Sequence, residues 1–205
     1  MKNILGNVLL RQKHICPWWL CFTFDNPLRR LIHSPETILS KYVRSGDTVL
    51  DVGPGMGYFS IPLAGLVGPS GRVIAADIQQ KMLDAVLRRA RRRGIADRIQ
   101  IHLSTPESIG IDERVDFVLA FWIVHEIANQ ETFFKQIGDI LKPSRCMLLA
   151  EPVIHVTRQM FLRTLCAAEK MGFTVKEKPR IGLSHSALLE FKEGNFCKVG
   201  DVGSK

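Results

Sequence analysis

From Thr48 onward, stretches suited to strands alternate with stretches suited to helices, and this alternation limits the fold more than any other feature of the chain. Residues 48–53, 72–78, 99–103, 115–122 and 146–150 are short apolar runs bounded by turn residues, as buried strands are. Between them, "YFSIPLAGLVG" has helical spacing, and residues 79–93 place Met82, Ala85, Val86 and Ala90 on one helical face. Residues 131–141 read as a helix stopped by Pro143, and 157–171 as a helix closed by Gly172. Such alternation builds βαβ units, hence an α/β fold with a mostly parallel sheet and helices on both faces. The last two strand-like stretches, 173–179 and 187–192, have no helix between them. "RIGLSH" can turn but is too short for a crossover, so this pair is expected to be an antiparallel C-terminal hairpin. The first 45 residues stand outside the alternation and hold a helix start near Pro27 or Pro35. They are expected to form an N-terminal helical cap on a single domain of residues 46–195, with 196–205 as a tail.

The first strand runs into "TVLDVGPGMGYFS", with glycines at 53, 55 and 57. A glycine-rich turn between a strand and a helix lets the backbone approach a nucleotide. The dinucleotide fingerprint G-x-G-x-x-G needs glycine at position 58, where the chain has Tyr58, and the Gly-Lys-Ser/Thr ending of a P-loop is absent. Asp51, two residues before the first glycine, also argues against a pyrophosphate, which it would repel. Beside a cationic amino-acid group the same carboxylate is attractive.

"VLDVGPGMGYFS" followed by "VIAADIQQKML" resembles the class I S-adenosylmethionine-dependent methyltransferases, and the resemblance covers roughly residues 35–192. It implies a Rossmann-like, seven-stranded sheet and S-adenosylmethionine as methyl donor, with S-adenosylhomocysteine as product. It also implies residue roles. Gly53, Gly55 and Gly57 would let the backbone approach the methionine moiety, and Asp51 would help hold its ammonium side, partly through the loop. Asp77 would accept hydrogen bonds from both ribose hydroxyls, since a carboxylate offers two acceptor oxygens. Ile78 would pack on the adenine, and Ala120 and Phe121 would line the sulfonium side. The family often carries an Asp at the end of strand three to meet the adenine amine. Here that stretch reads "LSTPES", so Ser104 or Thr105 must substitute, or Glu107 must reach in.

Methyl transfer from a sulfonium is an in-line displacement whose donor is already activated, so the chain must chiefly supply an acceptor pocket. "FWIVHEI" follows the fourth strand, near where the methyl should project, and brings Trp122, His125 and Glu126. His125 is a candidate general base or acceptor-orienting group, because imidazole titrates near neutral pH; the alternative is a capping or packed histidine. Trp122 and Glu126 are candidates for the acceptor site. "HICPWWLCFTFDNPLRR" concentrates His14, Cys16, Trp18, Trp19 and Cys21. Three readings stay open for it: a lid whose Trp18 and Trp19 close over the acceptor, a thiol pair for a soft element such as arsenic, or an apolar staple on the sheet. The Cys16–Cys21 spacing does not match a closed zinc site, and no metal site is expected.

The net charge of +8 suggests an anionic partner only weakly, because much of it sits in "LRRARRRG". There Arg88, Arg89, Arg91, Arg92 and Arg93 suit the carboxyl end of a helix dipole; the other reading is a nucleic-acid or phosphate patch. Five cysteines without a CxxC argue against a disulfide framework and fit a reducing compartment. No apolar run reaches the roughly 18 residues of a membrane span, and the apolar start is not followed by a cleavage site, so the expected location is the cytoplasm. The expectation is an enzyme transferring a methyl group to a small-molecule acceptor. Alternatives are an RNA or protein methyltransferase docking through the arginine-rich helix, or a non-catalytic protein that only binds S-adenosylmethionine. The amino-methylating N/D-P-P-Y/F signature is absent after strand four, which counts against base amines as acceptors.

Overall fold

In the computed structural model, residues 32–192 are described. The lid expected from Trp18 and Trp19, the Cys16–Cys21 pair and the 196–205 tail lie outside them. The elements are α1 (Pro35–Leu39), β1 (Thr48–Val52), α2 (Ser60–Val67), β2 (Arg72–Asp77), α3 (Gln80–Arg92), β3 (Ile99–Leu103), β4 (Val115–Phe121), α4 (Gln130–Ile140), β5 (Leu141–Pro152), α5 (Arg158–Lys170), β6 (Phe173–Glu177) and β7 (Ser184–Phe191). The seven strands lie in the order β3-β2-β1-β4-β5-β7-β6. The first five in this order are parallel, and β7 runs antiparallel to both β5 and β6. The C-terminal hairpin therefore forms as its short turn requires. No helix among the described residues is long and apolar enough to cross a membrane.

The parallel strands are apolar on both sides because both faces are covered. One face carries α4 and α5, which bury Phe133, Phe134, Ile137 and Leu165 against Leu50, Val118 and Leu149. The other carries α1, α2 and α3, which bury Leu39, Leu63, Val67, Leu83 and Val86 against Val49, Val73 and Leu119. Each such side chain, fully buried, contributes roughly 1.5–3 kcal/mol of transfer free energy. Side-chain caps start two of the longer helices: Asn129 accepts from Thr132 N–H at 3.0 Å and Thr157 from Met160 N–H at 3.2 Å.

Pro143 does not merely stop α4. The helix ends at Ile140 and β5 begins at once, with Pro143 inside it. The β4–β5 register jumps from Val115–Leu141 to Phe117–Cys146, so residues 142–145 bulge, with Ser144 at φ 59°. A bulge releases the ladder from needing the N–H that proline lacks. The bulge also brings Lys142 and Arg145 to Asp116, at 2.8 and 3.0 Å, and Asp116 accepts Thr48 N–H at 3.0 Å. Burial alone would raise the Asp116 pKa, but these donors together hold it below the ordinary carboxylate value. Its stabilisation is present above the unfolded pKa of about 3.9 and is lost as pH falls through the lower folded value. This cluster ties down the amino ends of β1 and β4, leaving the carboxyl ends for chemistry.

Candidate functional site

The sequence of strands turns back between β1 and β4, a topological switch point, and ligands of open α/β sheets bind outside the carboxyl ends of the strands there. Each of those ends delivers expected site residues: β1 the glycine loop, β2 Asp77 and Ile78, β3 Ser104 and Thr105, and β4 Trp122, His125 and Glu126. Because β7 is antiparallel, its first residue, Ser184, pairs with Pro152 at the same edge.

The glycine loop is fixed at both ends. Gly53 donates its N–H to Ala76 O at 2.9 Å, and Gly57 N–H closes a turn on Pro54 O at 2.9 Å. Gly53 has φ +66°, and a Cβ there would lie 2.6 Å from Ile123 Cγ1, so the loops after β1 and β4 touch only because position 53 has no side chain. Gly53→Ala is therefore expected to lower stability by about 2–4 kcal/mol, from left-handed backbone strain plus the clash. Adding Ile123→Ala should restore the steric part and not the backbone part, which urea unfolding of both variants measures; full restoration by the second change would show that φ does not matter. At Gly55, φ +54°, a Cβ would meet nothing within 4 Å, so the loop faces open space there.

Asp51 is 2% exposed and accepts a hydrogen bond from Ser60 Oγ at 2.6 Å, tying β1 to the first turn of α2. Burial pushes its carboxyl up to about 7, against the lowering effect of Ser60, with the nearby Asp77 raising it further. Asp77 accepts Gln79 N–H at 2.8 Å, and burial pushes it up to about 6, with Glu126 adding to the rise. Asp77 thus interacts electrostatically with both Asp51 and Glu126 at the carboxyl ends of β1, β2 and β4, on a chain whose net charge is +8. Asp51 and Asp77, raised in this way, are ready to lose their protons to an incoming cation. Ile78 is 37% exposed at the end of β2, and Leu103, which the sequence reading passed over, is 54% exposed at the end of β3. Exposed aliphatic side chains at the ends of neighbouring strands offer apolar surface to a flat ring. Ser104 donates its Oγ–H to Ile109 O at 2.9 Å and Thr105 turns onto the exposed loop to Ser108, while Glu107 is exposed and contributes its carbonyl to Gln136 Nε2. The Ser104 oxygen still has lone pairs for an amine donor.

Ala120 and Phe121 lie in the core, 0% and 6% exposed, with the Phe121 ring 4.4 Å from that of Phe59. Central β4 is covered on both faces, so both side chains pack into the core. The next residue, Trp122, has φ 63°, a strained value for a side chain of this size. It is held there by its N–H to Ala150 O at 2.7 Å and its Nε1–H to Ser184 Oγ at 2.9 Å.

His125 lies in a single 3₁₀ turn, Val124–Glu126. Its Nδ1–H donates to Glu151 Oε2, and Glu151 Oε1 accepts Val124 N–H at 2.8 Å. Glu151 is completely buried at the end of β5. A carboxylate can only accept, so it fixes the imidazole with its proton on Nδ1, and Nε2 is left without a protein partner among the described residues. Burial would lower the His125 pKa, but Glu151, with Glu126 behind it, holds it above the ordinary histidine value. The His125 ring also lies parallel to that of His155, centroids 6.3 Å apart. Glu151 escaped the reading of the sequence, although a signal was there: "LLAEP" ends an apolar strand in an acid, as "VLDVG" and "AADI" do.

The arginines of α3 are elsewhere. The helix starts beside Asp77 and runs back along the sheet, so its last turn lies about 20 Å away at the opposite edge. Arg91, Arg92 and Arg93 are exposed there.

Comparison with known proteins identifies the family. A family model described as a methyltransferase domain matches residues 43–190. Among curated proteins, the ubiquinone/menaquinone biosynthesis C-methyltransferase UbiE of Pseudomonas putida is 31% identical over 116 residues, covering 56% of this chain and 45% of that protein. Its counterpart in Pasteurella multocida is 30% identical over 116 residues, 56% of this chain and 43% of that one. The chain thus spans less than half the length of these relatives. Among solved structures, a SAM-dependent methyltransferase from Aquifex aeolicus superposes with a TM-score of 0.77 at 22% identity, covering 85% of this chain and 98% of that one, a likeness of fold.

Proposed function

Since the chain belongs to the methyltransferase-domain family, and is a class I enzyme that uses S-adenosylmethionine, we propose that its acceptor is a small molecule and that His125 takes the acceptor's proton. The observation that carries this reading is the pairing of two unlike half-sites on one sheet edge: a carboxylate-lined cradle outside β1 and β2, and an oriented imidazole after β4. In the cradle, Asp77 receives the ribose hydroxyls, Ile78 and Leu103 cover the adenine, and Ser104 accepts from its amine. Asp51 and the glycine loop favour the cationic methionine end. When bound, the donor supplies an activated methyl group. The chain's own work is to place the acceptor in line, to accept its proton at His125 Nε2, and to keep that imidazole in one tautomer through Glu151. Trp122, strained beside the glycine loop, borders the acceptor's side. Those relatives are named as C-methyltransferases of ubiquinone/menaquinone biosynthesis; a carbon acceptor made nucleophilic by an adjacent hydroxyl would need the same proton removal. Nothing at the site edge supports docking of RNA through the α3 arginines, which face away from it.

The test is a methylation assay of metabolite extract with labelled donor, scored by mass spectrometry. Label in at least one small molecule is expected; label only in precipitated RNA or protein would reject the small-molecule acceptor. A second measurement follows from the raised carboxyls. A cation can bind well only when Asp51 and Asp77 are ionised, and their pKa values are about 7 and about 6. Affinity for S-adenosylmethionine by calorimetry should therefore climb about tenfold or more from pH 5.5 to 7.5, then level off, with proton release on binding. A flat profile would remove the carboxylates from the cofactor's grip.

A further inference from the structure

A second concavity opens on the same edge of the sheet, beyond β5. It is a cavity of about 450 Å³ between α5 and the turn joining β6 to β7. Its charged lining is Arg158, Lys178 and Arg180, with His185 beside them, and no Asp or Glu contributes to it. Arg158, Lys178 and Arg180 make no ion pair or side-chain hydrogen bond among the described residues, whereas Lys135, Lys142, Arg145, Lys170 and Lys176 are all paired with carboxylates. The floor is apolar: Phe161 and Leu165 come from α5, and the Phe161 ring lies nearly parallel to that of His185, centroids 5.5 Å apart. The far wall is held in place. His33 Nε2 donates to Gly182 O at 2.6 Å, Val153 N–H to Leu183 O at 3.0 Å, and Ser186 Oγ–H to Pro179 O. Leu183 is kept at φ 52°, and such a conformation persists only where its surroundings enforce it.

This cavity communicates with the catalytic edge. His185 is the direct partner of Glu151 in the β5–β7 ladder, and Glu151 holds His125. Ser184, also in the lining, accepts the indole N–H of Trp122. From β7 to β4 is two strand spacings, so the cavity lies roughly 10 Å from the His125 backbone.

We propose that this cavity anchors an anionic group of the methyl acceptor, a carboxylate or phosphate on an apolar body, with the atom to be methylated roughly 10 Å away at His125. The proposal rests on the small-molecule reading above and adds the chemical class of that acceptor. Unpaired guanidinium groups beside an apolar floor favour such a ligand, because Arg binds carboxylate and phosphate through two parallel N–H donors. The division of charge along the edge would also orient the two substrates: carboxylates around the cationic donor, cations around the anionic acceptor.

The test compares two probes on the full chain, 8-anilinonaphthalene-1-sulfonate and its uncharged analogue N-phenyl-1-naphthylamine. Arg158→Gln combined with Arg180→Gln should weaken the sulfonate about tenfold and leave the uncharged probe within about twofold, since the two lost ion pairs to a partly exposed anion are together worth about one decade. Unchanged calorimetric affinity for S-adenosylmethionine establishes that the double variant is folded. Equal sulfonate binding by the wild type and the variant overturns the anion site. In the extract assay, the labelled product should be retained on an anion exchanger, and the variant should raise KM for it without lowering kcat. Label only in neutral or cationic products overturns the acceptor role. If no small molecule is labelled at all, the underlying small-molecule reading falls, and with it the acceptor role, while the sulfonate comparison still decides whether the anion site exists.

Discussion

Replacing Asp77 by Asn is expected to weaken S-adenosylmethionine binding by about two orders of magnitude or more, and at the same time to stabilise the ligand-free protein at pH 7. The loss follows if Asp77 holds both ribose hydroxyls as proposed, since bonds to a charged acceptor contribute roughly 1.5–3 kcal/mol each and about 1.4 kcal/mol is tenfold in affinity. The gain has the opposite sign for a physical reason. Burial raises Asp77 to about 6, so at pH 7 the empty protein must hold an ionised carboxylate in a place that resists it. A group with a raised folded pKa makes the unfolded chain bind fewer protons between about pH 4 and 6, so stability declines as pH rises through that window. Asn removes this burden, worth about 1–2 kcal/mol after discounting for partial exposure, and its side-chain oxygen still accepts Gln79 N–H. Calorimetry and thermal melts of the same variant read the two effects separately. A variant that loses stability as well as affinity would show Asp77 to be a structural turn residue, and one that keeps its affinity would show that the ribose is held elsewhere.

Glu151→Gln should cut kcat by about 10²–10³-fold with S-adenosylmethionine affinity unchanged, the range expected when a positioned proton acceptor is disabled. The substitution is nearly isosteric, so Val124 N–H keeps an acceptor. The amide, however, presents an N–H to Nδ1 where the carboxylate accepted one. The imidazole proton then moves to Nε2, and the nitrogen that should receive the acceptor's proton becomes a donor. The wild-type rate should rise with pH through the His125 pKa, which Glu151 holds above the ordinary histidine value despite burial. In Glu151→Gln the His125 titration, followed by NMR, should move down, because the larger opposition to burial is then gone and only Glu126 still raises it. An unmoved titration would mean that Glu151 does not govern His125. A moved titration with an unchanged rate would leave the histidine as a packing residue.

The two predictions draw on very different kinds of legibility. Asp77 could be read directly, since an acid at the end of an apolar run, a short distance after a glycine-rich turn, is a local pattern. Residue spacing also determined the parallel sheet, its antiparallel end and the positions of α3 and α5 within a residue or two, because strand and helix periodicities are set by neighbours along the chain. Periodicity could not show how deeply Ala120 and Phe121 are buried, because both faces of a central parallel strand are apolar. It also read Pro143 as a stop, when the bulge at 142–145 lets the proline sit inside β5.

What only the tertiary structure decided is the pairing of groups far apart in sequence. His125 and Glu151 are 26 residues apart, and β4 must lie beside β5 before they meet. The cavity joins Arg158 on α5 to Arg180 beyond β6, and its sign is visible only once all the lining side chains stand together. A sequence states which chemistry is present and where elements begin. The energy of a buried carboxylate, or of three cations unpaired among the described residues, depends on what the other strands bring to its side, and that is fixed by sheet order and register.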